Sequence, residues 1–298
     1  MIVCHTMRVG VVFPQVEIGR DTGAIREYAN AVADLGFDHL LMYDHVLGAN
    51  PDGHAPWTGN YNFTHTFHDA FVLLGYLAAV EPRLEYATST ITAPQRQTAL
   101  LAKQAAALDV LTQGRFRLGV GLGWNDVEYE ALGMEWKGRG ARLEEQIEVM
   151  RLLWANESVT FRGRWHTINA AGINPLPERR SIPIWIGAMS ETAVSRAARL
   201  ADGLLIWPRR DQLADPATVI AEVRERVRAA GRDPLQFGFE GQLAVVHLGT
   251  PDAWARDADT WRTAGATHIA VNTVGERLDA AGHIAQLTAV ADTLGLNR

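Results

Sequence analysis

The chain has 298 residues, of which 47% are hydrophobic and 21% charged, which excludes a disordered or low-complexity protein. Its net charge of -6 argues against a surface for nucleic acid or anionic membranes, and its single cysteine excludes an internal disulfide. No signal-peptide pattern and no apolar run long enough to span a membrane is visible, so we expect a cytoplasmic protein.

Short β-branched runs alternate with longer segments of helical spacing along the chain. The predicted strands are, in chain order, Arg8–Pro14, His39–Tyr43, Leu84–Ile91, Phe116–Leu122, Ile184–Gly187, Leu204–Trp207, Phe237–Leu248 and His268–Thr273. The helices predicted to follow them are Asp21–Leu35, Asp69–Ala79, Gln97–Leu111, Arg139–Trp154, Glu191–Ala201, Pro216–Ala230, Asp252–Ala264 and Leu278–Leu294. Eight such units predict an α/β fold, a (β/α)8 TIM barrel, and a doubly wound sheet is the less favoured alternative.

No linker or shift in composition divides the chain, so residues 1–298 are predicted to form one domain, with 1–7 as a loose extension. Three connections are longer than a plain barrel needs: Val46–His68, Trp124–Gly138 and Ser158–Ser181. Long loops in a compact domain are often functional, and the active sites of barrels lie at the carboxyl ends of the strands. We therefore expect these insertions to rise from that end, or to pack beside it.

The second and fourth predicted strands end in residues that can carry chemistry. Asp44 precedes His45, and an ionised carboxylate can orient an imidazole for proton transfer near neutral pH, although a cap at the loop entry is equally consistent. The glycines of 119–123 alternate inside a strand and do not open a helix, so they are not a dinucleotide fingerprint. They indicate room for a flat group, with Trp124 and Asn125 at its rim.

Three other segments of the sequence are considered as binding sites for a phosphate, a metal or an anion. Residues 187–190 lead directly into a helix, where free N–H groups can bind a phosphate, although a plain N-cap by Ser190 explains them as well. His65 and His68 have no carboxylate in register, so no metal site is predicted. Arg209 and Arg210 follow the sixth strand, where an anionic ligand tail could bind them.

Seven segments carry a resemblance to known proteins: Val9–Pro14, Tyr43–His45, Ala102–Asp109, Gly114–Trp124, Glu128–Gly133, Arg139–Glu145 and Pro183–Gly187. With these segments the chain resembles the bacterial luciferase-like family of flavin and deazaflavin oxidoreductases over nearly its whole length. The resemblance implies a barrel with a cofactor ring over the carboxyl ends of the strands. It also implies a non-prolyl cis peptide between Ser89 and Thr90, behind that ring.

The resemblance further implies roles for individual residues. The implied cofactor contacts are Asp44, Ser89, Thr90, Thr92, Gly121, Gly123, Trp124, Asn125, Gly187, Ala188, Met189 and Ser190, with a phosphate on the last four. His45 is the first candidate to move a proton, oriented by Asp44, and Glu128 is the second. The residues expected to wall the substrate pocket are Trp57, Tyr61, His65 and Trp124.

The resemblance thus implies an oxidoreductase that transfers a hydride between the deazaflavin coenzyme F420 and a small organic substrate. An FMN-dependent monooxygenase that uses reduced flavin is the first alternative, and a flavin-binding barrel without turnover is the second. Arg209 and Arg210 favour F420, whose tail is acidic. The expected partners are a small-molecule substrate, a second copy of the chain in a homodimer, and a separate flavin or F420 reductase, with no nucleic acid or membrane.

Overall fold

The computed structural model describes residues 7–187, 190–207 and 215–296. Within these ranges eight parallel strands form a barrel, numbered in chain order as β1 Arg8–Val12, β2 His39–Met42, β3 Glu85–Thr88, β4 Phe116–Gly121, β5 Ile184–Gly187, β6 Gly203–Leu205, β7 Gly238–Ala244 and β8 His268–Asn272. The barrel closes because β8 pairs with β1, and β3 pairs with β4. A two-residue strand, Ile91–Thr92, continues β3 and also pairs with β4. The predicted (β/α)8 barrel is confirmed.

Eight longer helices connect these strands, one for each helix that the sequence predicts. They are Thr22–Asp34, Ala70–Val80, Thr98–Leu111, Arg139–Ala155, Glu191–Leu200, Pro216–Ala229, Pro251–Ala264 and Ala280–Leu294. Many of these helices are preceded by an Asp, Ser or Thr whose side chain accepts backbone N–H groups of the first turn. Asp21, for example, accepts the N–H groups of Gly23 and Ala24. Gly265, with φ of +89°, ends another, since only glycine adopts this left-handed conformation without strain.

Two sequence predictions about local structure are wrong. Residues 245–248, predicted to end the seventh strand, form the short helix Val245–Leu248, because the β8 ladder that pairs with β7 ends at Asn272, opposite Ala244. Met7, predicted to belong to a loose extension, is 9% exposed and packs into the core. The other residues of that extension, 1–6, lie outside the described part of the chain.

The connection Ser158–Ser181 contains an antiparallel hairpin, Val159–Arg162 with Thr167–Ala171, that the sequence did not predict. Glu145, in the helix Arg139–Ala155, accepts the backbone N–H groups of the hairpin turn at Arg164, Trp165 and His166. The hairpin therefore packs beside that helix.

Buried charges fill the amino end of the barrel. Arg117 of β4 donates to Glu240 of β7 at 2.6 Å and to Glu85 of β3 at 3.0 Å, and His39 of β2 lies 2.6 Å from the other oxygen of Glu240. Burial alone would raise the pKa of Glu240, but Arg117 and His39 outweigh burial and hold this pKa well below its usual value. This network lies at the end of the barrel opposite to the carboxyl ends of the strands.

Candidate active site

The carboxyl end of the barrel opens into a cavity of about 590 Å³, a size typical of small-molecule sites. The predicted site residues that line it are Asp44, His45, Tyr61, Ser89, Thr90, Thr92, Gly121, Gly123, Trp124, Glu128, Gly187 and Ser190. The residues that line it without having been predicted are Tyr43, Asn60, Leu122, Arg139, Ala193, Trp207 and Gln242. Ala188 and Met189, predicted as phosphate contacts, and Arg209 and Arg210, predicted for an anionic tail, lie outside the described residues.

The end of β3 forms one wall of the cavity. The peptide bond between Ser89 and Thr90 is cis, as the resemblance implies. The backbone N–H of Ser89 donates to the carbonyl oxygen of Met42 at 2.7 Å, which ties this bend to β2. The Ser89 hydroxyl is buried and has no hydrogen-bond partner. Because buried polar groups are nearly always paired, this hydroxyl is available to a group bound in the cavity.

The glycines of β4 and β5 accommodate this bend of β3. A Cβ atom at Gly121 would lie 2.4 Å from the Thr90 hydroxyl oxygen, and one at Gly187 would lie 2.9 Å from the Thr90 methyl carbon. A Cβ atom at Gly119 would lie 1.9 Å from the carbonyl oxygen of Thr88. The alternating glycines were expected to leave room for a flat ligand, but the group closest to them is the protein's own third strand.

Asp44 is engaged with the residues that follow β3. Its carboxylate accepts a hydrogen bond from Arg96 Nη2 at 2.7 Å and another from the Thr92 N–H at 3.3 Å. Burial raises the pKa of Asp44, and the Arg96 guanidinium opposes that rise. Asp44 therefore stabilises the cavity wall. It does not form the hydrogen bond that was expected to orient His45.

Glu128 lies beside His45, where Asp44 was expected. It is buried, accepts the N–H of Val46 and of Leu47 (3.2 Å) on one oxygen and Gln95 Nε2 (3.1 Å) on the other, and lies 3.7 Å from His45 Nδ1. Burial alone would raise the pKa of Glu128, but His45 and the Val46 N–H outweigh burial and lower it. A carboxylate at Nδ1 favours the tautomer with its proton there, which leaves Nε2 for exchange with a ligand.

Aromatic rings surround His45. The ring centroids of Tyr61, Phe67 and Trp124 lie 5.3, 4.8 and 5.4 Å from that of His45, all edge to face. Trp57 packs behind Trp124 at 5.8 Å and does not itself line the cavity. This arrangement excludes water from the imidazole on several sides.

A second cavity, of about 310 Å³, adjoins the first at His45 and Tyr61. Two predicted site residues, His65 and Asn125, line this cavity and not the larger one. Asn125 also begins the short helix Asp126–Ala131, whose first turn contains Glu128. The predicted pocket residues are thus divided between two adjoining spaces.

The lining of the larger cavity also includes a positive charge. Ser190 caps the helix Glu191–Leu200, and its hydroxyl accepts the N–H of Ala193 at 3.3 Å. Arg139 lines the same region, stacks on Trp136 at 3.5 Å, and has a buried Nε atom without a partner. The acidic side chain of Glu191 is 83% exposed and pairs with Arg226, so it does not oppose an anion there.

Arg139 was not predicted as a site residue, because its only signal in the sequence was its place in the family segment Arg139–Glu145. Tyr43 and Gln242 were not predicted as site residues because both lie within or beside predicted strands. The only signal for them was a polar side chain at a strand position that faces the inside of the barrel.

No group of three or more His, Cys, Asp or Glu side chains suited to a metal occurs in the described part of the chain. Among the helices of the described residues, none has the length and apolar character to cross a membrane.

A (β/α)8 barrel with a polar, histidine-containing cavity at its carboxyl end is the frame of many enzymes, and comparison with known proteins narrows the class. The family described as luciferase-like monooxygenase matches residues 7–294. The chain belongs to this family.

One relative is the F420-dependent glucose-6-phosphate dehydrogenase of Microbacterium testaceum, which is 32% identical over 206 residues, or 67% of this chain and 56% of that protein. The fold is similar to that of the monooxygenase RslO1 from Streptomyces bottropensis, with a TM-score of 0.80, 19% identity, and coverage of 97% of this chain and 98% of that one. It is also similar to an F420-dependent secondary alcohol dehydrogenase solved with an F420-acetone adduct, with a TM-score of 0.77, 18% identity, and coverage of 98% and 99%.

Proposed function

We propose that this protein is an oxidoreductase that transfers a hydride between coenzyme F420 and a small organic substrate. The observation that carries the proposal is the cavity itself, lined by the unpartnered buried hydroxyl of Ser89 and by the imidazole of His45, which has a carboxylate oxygen of Glu128 3.7 Å from its Nδ1. The F420 dependence of the Microbacterium testaceum relative supports the choice of cofactor.

The residues present fit such a cofactor. Ser89 and Thr90 would hold its ring from behind, since the Ser89 hydroxyl needs a partner. Arg139 and the start of the helix at Ser190 would hold its phosphate, because a guanidinium and free N–H groups both bind anions. When bound there, a deazaflavin would supply hydride transfer at the carbon of its central ring.

The protein's own contribution to the reaction is proton transfer and exclusion of water. We assign the proton to Nε2 of His45, because Glu128 is placed to hold the opposite ring nitrogen. Trp124 and Tyr61 shield this imidazole from solvent, which strengthens every electrostatic interaction inside the cavity. Glu128 is thereby a positioning residue rather than a second proton donor, since its lowered pKa keeps it ionised at neutral pH.

We further propose that the protein forms a homodimer and that a separate reductase renews its reduced cofactor. The helix Ala70–Val80 exposes Val72 (73%) and Tyr76 (39%), and the adjacent helix Thr98–Leu111 exposes Leu100 (52%). Apolar side chains grouped on neighbouring helices are typical of a protein interface. Sedimentation of the purified protein at several concentrations tests the dimer.

The decisive experiment is the titration of the purified protein with F420 and, separately, with FMN, followed by fluorescence. We expect tight binding of F420 and much weaker binding of FMN. The opposite preference would indicate an FMN-dependent monooxygenase, and the search would then move to a partner flavin reductase. Binding of F420 with no spectral change on addition of any electron donor or acceptor would indicate a barrel without turnover.

A further inference from the structure

A group of polar side chains that no sequence motif predicts lies at the floor of the larger cavity. Tyr43 follows β2 directly, Gln242 lies in β7, and Asn272 ends β8. The Tyr43 hydroxyl oxygen accepts hydrogen bonds from Gln242 Nε2 at 3.1 Å and from Asn272 Nδ2 at 3.4 Å. Tyr43 and Gln242 line the cavity, and the Tyr43 ring packs edge to face against Trp207. We call Tyr43, Gln242 and Asn272 the tyrosine floor.

The hydrogen bonds of the tyrosine floor have a defined direction. Asn272 Oδ1 accepts the N–H of Val274 at 3.0 Å, which fixes the amide so that its NH₂ group faces Tyr43. A phenol oxygen can accept two hydrogen bonds and donate one. Because two amides already donate to Tyr43, its own proton needs a third partner, and no protein acceptor for it occurs within the described residues.

Burial keeps Tyr43 neutral, and it outweighs the hydrogen bond from Gln242, which lowers the pKa of the phenol. Burial raises the pKa of the Tyr43 phenol above its ordinary value, and the nearby Tyr61 raises it further. A neutral phenol retains its proton at physiological pH and acts as a hydrogen-bond donor. It therefore suits a ligand oxygen that carries or develops negative charge.

The donor and the cofactor residues line the same cavity from neighbouring parts of the barrel. Ser89 and Thr90, which are proposed to hold the ring, follow β3. Tyr43 follows β2, which pairs with β3, and its two amide partners come from β7 and β8. A carbonyl carbon in contact with the ring can therefore direct its oxygen towards Tyr43.

We propose that the Tyr43 hydroxyl, held by Gln242 and Asn272, donates to the carbonyl oxygen of the substrate, and that the substrate class is an aldehyde or ketone. This inference rests on the proposed function. The carbonyl carbon accepts the hydride from the reduced deazaflavin, which is thereby oxidised, and the electron pair of the C=O π bond moves to oxygen. His45 supplies the proton that completes the alcohol, while Tyr43 stabilises the oxygen before that proton arrives.

A chromophoric carbonyl compound tests this assignment without cofactor or turnover. Dimethylaminocinnamaldehyde is a conjugated aldehyde whose absorption band moves to longer wavelength when its carbonyl oxygen accepts a strong hydrogen bond. We expect the purified protein to shift this band. In Tyr43→Phe most of the shift should be lost and the probe should bind about 3- to 10-fold more weakly, as for one lost hydrogen bond.

The matched control is Tyr86→Phe, the same chemical change at a tyrosine that does not line the cavity and whose hydroxyl donates to Leu77 and Glu81, and its shift should be that of the parent protein. Tyr43→Phe keeps the aromatic ring, and its thermal unfolding shows whether it is folded. An unshifted band in the parent protein, or an equal shift in parent and Tyr43→Phe, would overturn the assignment. Failure of F420 to bind in the separate titration would overturn the proposed function but not this assignment of Tyr43.

Discussion

Replacing Glu128 should loosen the connection Val46–His68, because this carboxylate is the group that fixes its first residues. It accepts the N–H groups of Val46 and Leu47 and the side-chain amide of Gln95. Leaving a buried donor unsatisfied costs about 1–3 kcal/mol, and water can replace part of the partners. We therefore expect Glu128→Ala to lower the free energy of unfolding by about 3 kcal/mol.

The variant Glu128→Gln removes the charge of this side chain but keeps its shape. Glu128→Gln keeps one oxygen for Val46 and Leu47, but turns an amide NH₂ towards Gln95 and His45, which also donate. We expect it to cost about half as much as Glu128→Ala. The pKa of Glu128 is lowered in the folded state. The parent protein should therefore have a larger free energy of unfolding than Glu128→Gln at pH values above the ordinary pKa of a glutamate. This difference should be lost as the pH falls through the lowered pKa.

Urea unfolding followed by tryptophan fluorescence measures these differences, and hydrogen exchange at Val46 and Leu47 reports the local effect. The control is Glu130→Ala, which removes an exposed carboxylate from the same short helix, Asp126–Ala131, and should change stability by no more than about 0.5 kcal/mol. Equal stability of parent and Glu128→Ala, or unchanged exchange at the two amides, would refute this account of Glu128.

Three further predictions concern the site and the amino end of the barrel. His45→Ala should lower turnover about 100-fold with cofactor affinity nearly unchanged, measured once a substrate is known, and equal turnover would contradict its role in proton transfer. Ser89→Ala should weaken cofactor binding about 3- to 10-fold in the fluorescence titration without loss of thermal stability, because its hydroxyl has no protein partner. Arg117→Met should lower the free energy of unfolding by about 3–5 kcal/mol, because it leaves Glu85 and Glu240 buried without their cation, and the added change Glu240→Gln should recover part of this loss in urea unfolding.

The pH dependence of stability follows from the same buried charges. Burial alone would raise the pKa of Glu85, but Arg117 and His39 lower it to about 2. Burial, with Arg117, lowers the pKa of His268 to about 3. Both groups bind more protons when unfolded, so stability should fall as pH decreases, from about 6.5 towards 3 for His268 and from about 4.5 towards 2 for Glu85. Urea midpoints that do not change between pH 7 and 4 would contradict this expectation.

The sequence by itself determined the architecture, because the alternation of apolar runs and helical spacing is a local property of the chain. The predicted strands and helices agree with the structure to within a few residues, except at Val245–Leu248. There, β-branched and apolar residues suit a buried strand and a buried helix equally well, and the end of the neighbouring ladder decides between them. The sequence also placed Ser89, His45 and Glu128 at the correct end of the barrel, because strand ends there form the cavity.

Only the tertiary structure decided which of these residues interact. Adjacent in sequence, Asp44 and His45 were expected to work as a pair, but Asp44 binds Arg96 and the partner of His45 is Glu128. The tyrosine floor is likewise drawn from three strands far apart in the chain. Hydrophobic periodicity fixes which face of an element is buried, but the partner of a polar side chain depends on the path of the loops and on the close packing of distant strands, neither of which local pattern encodes.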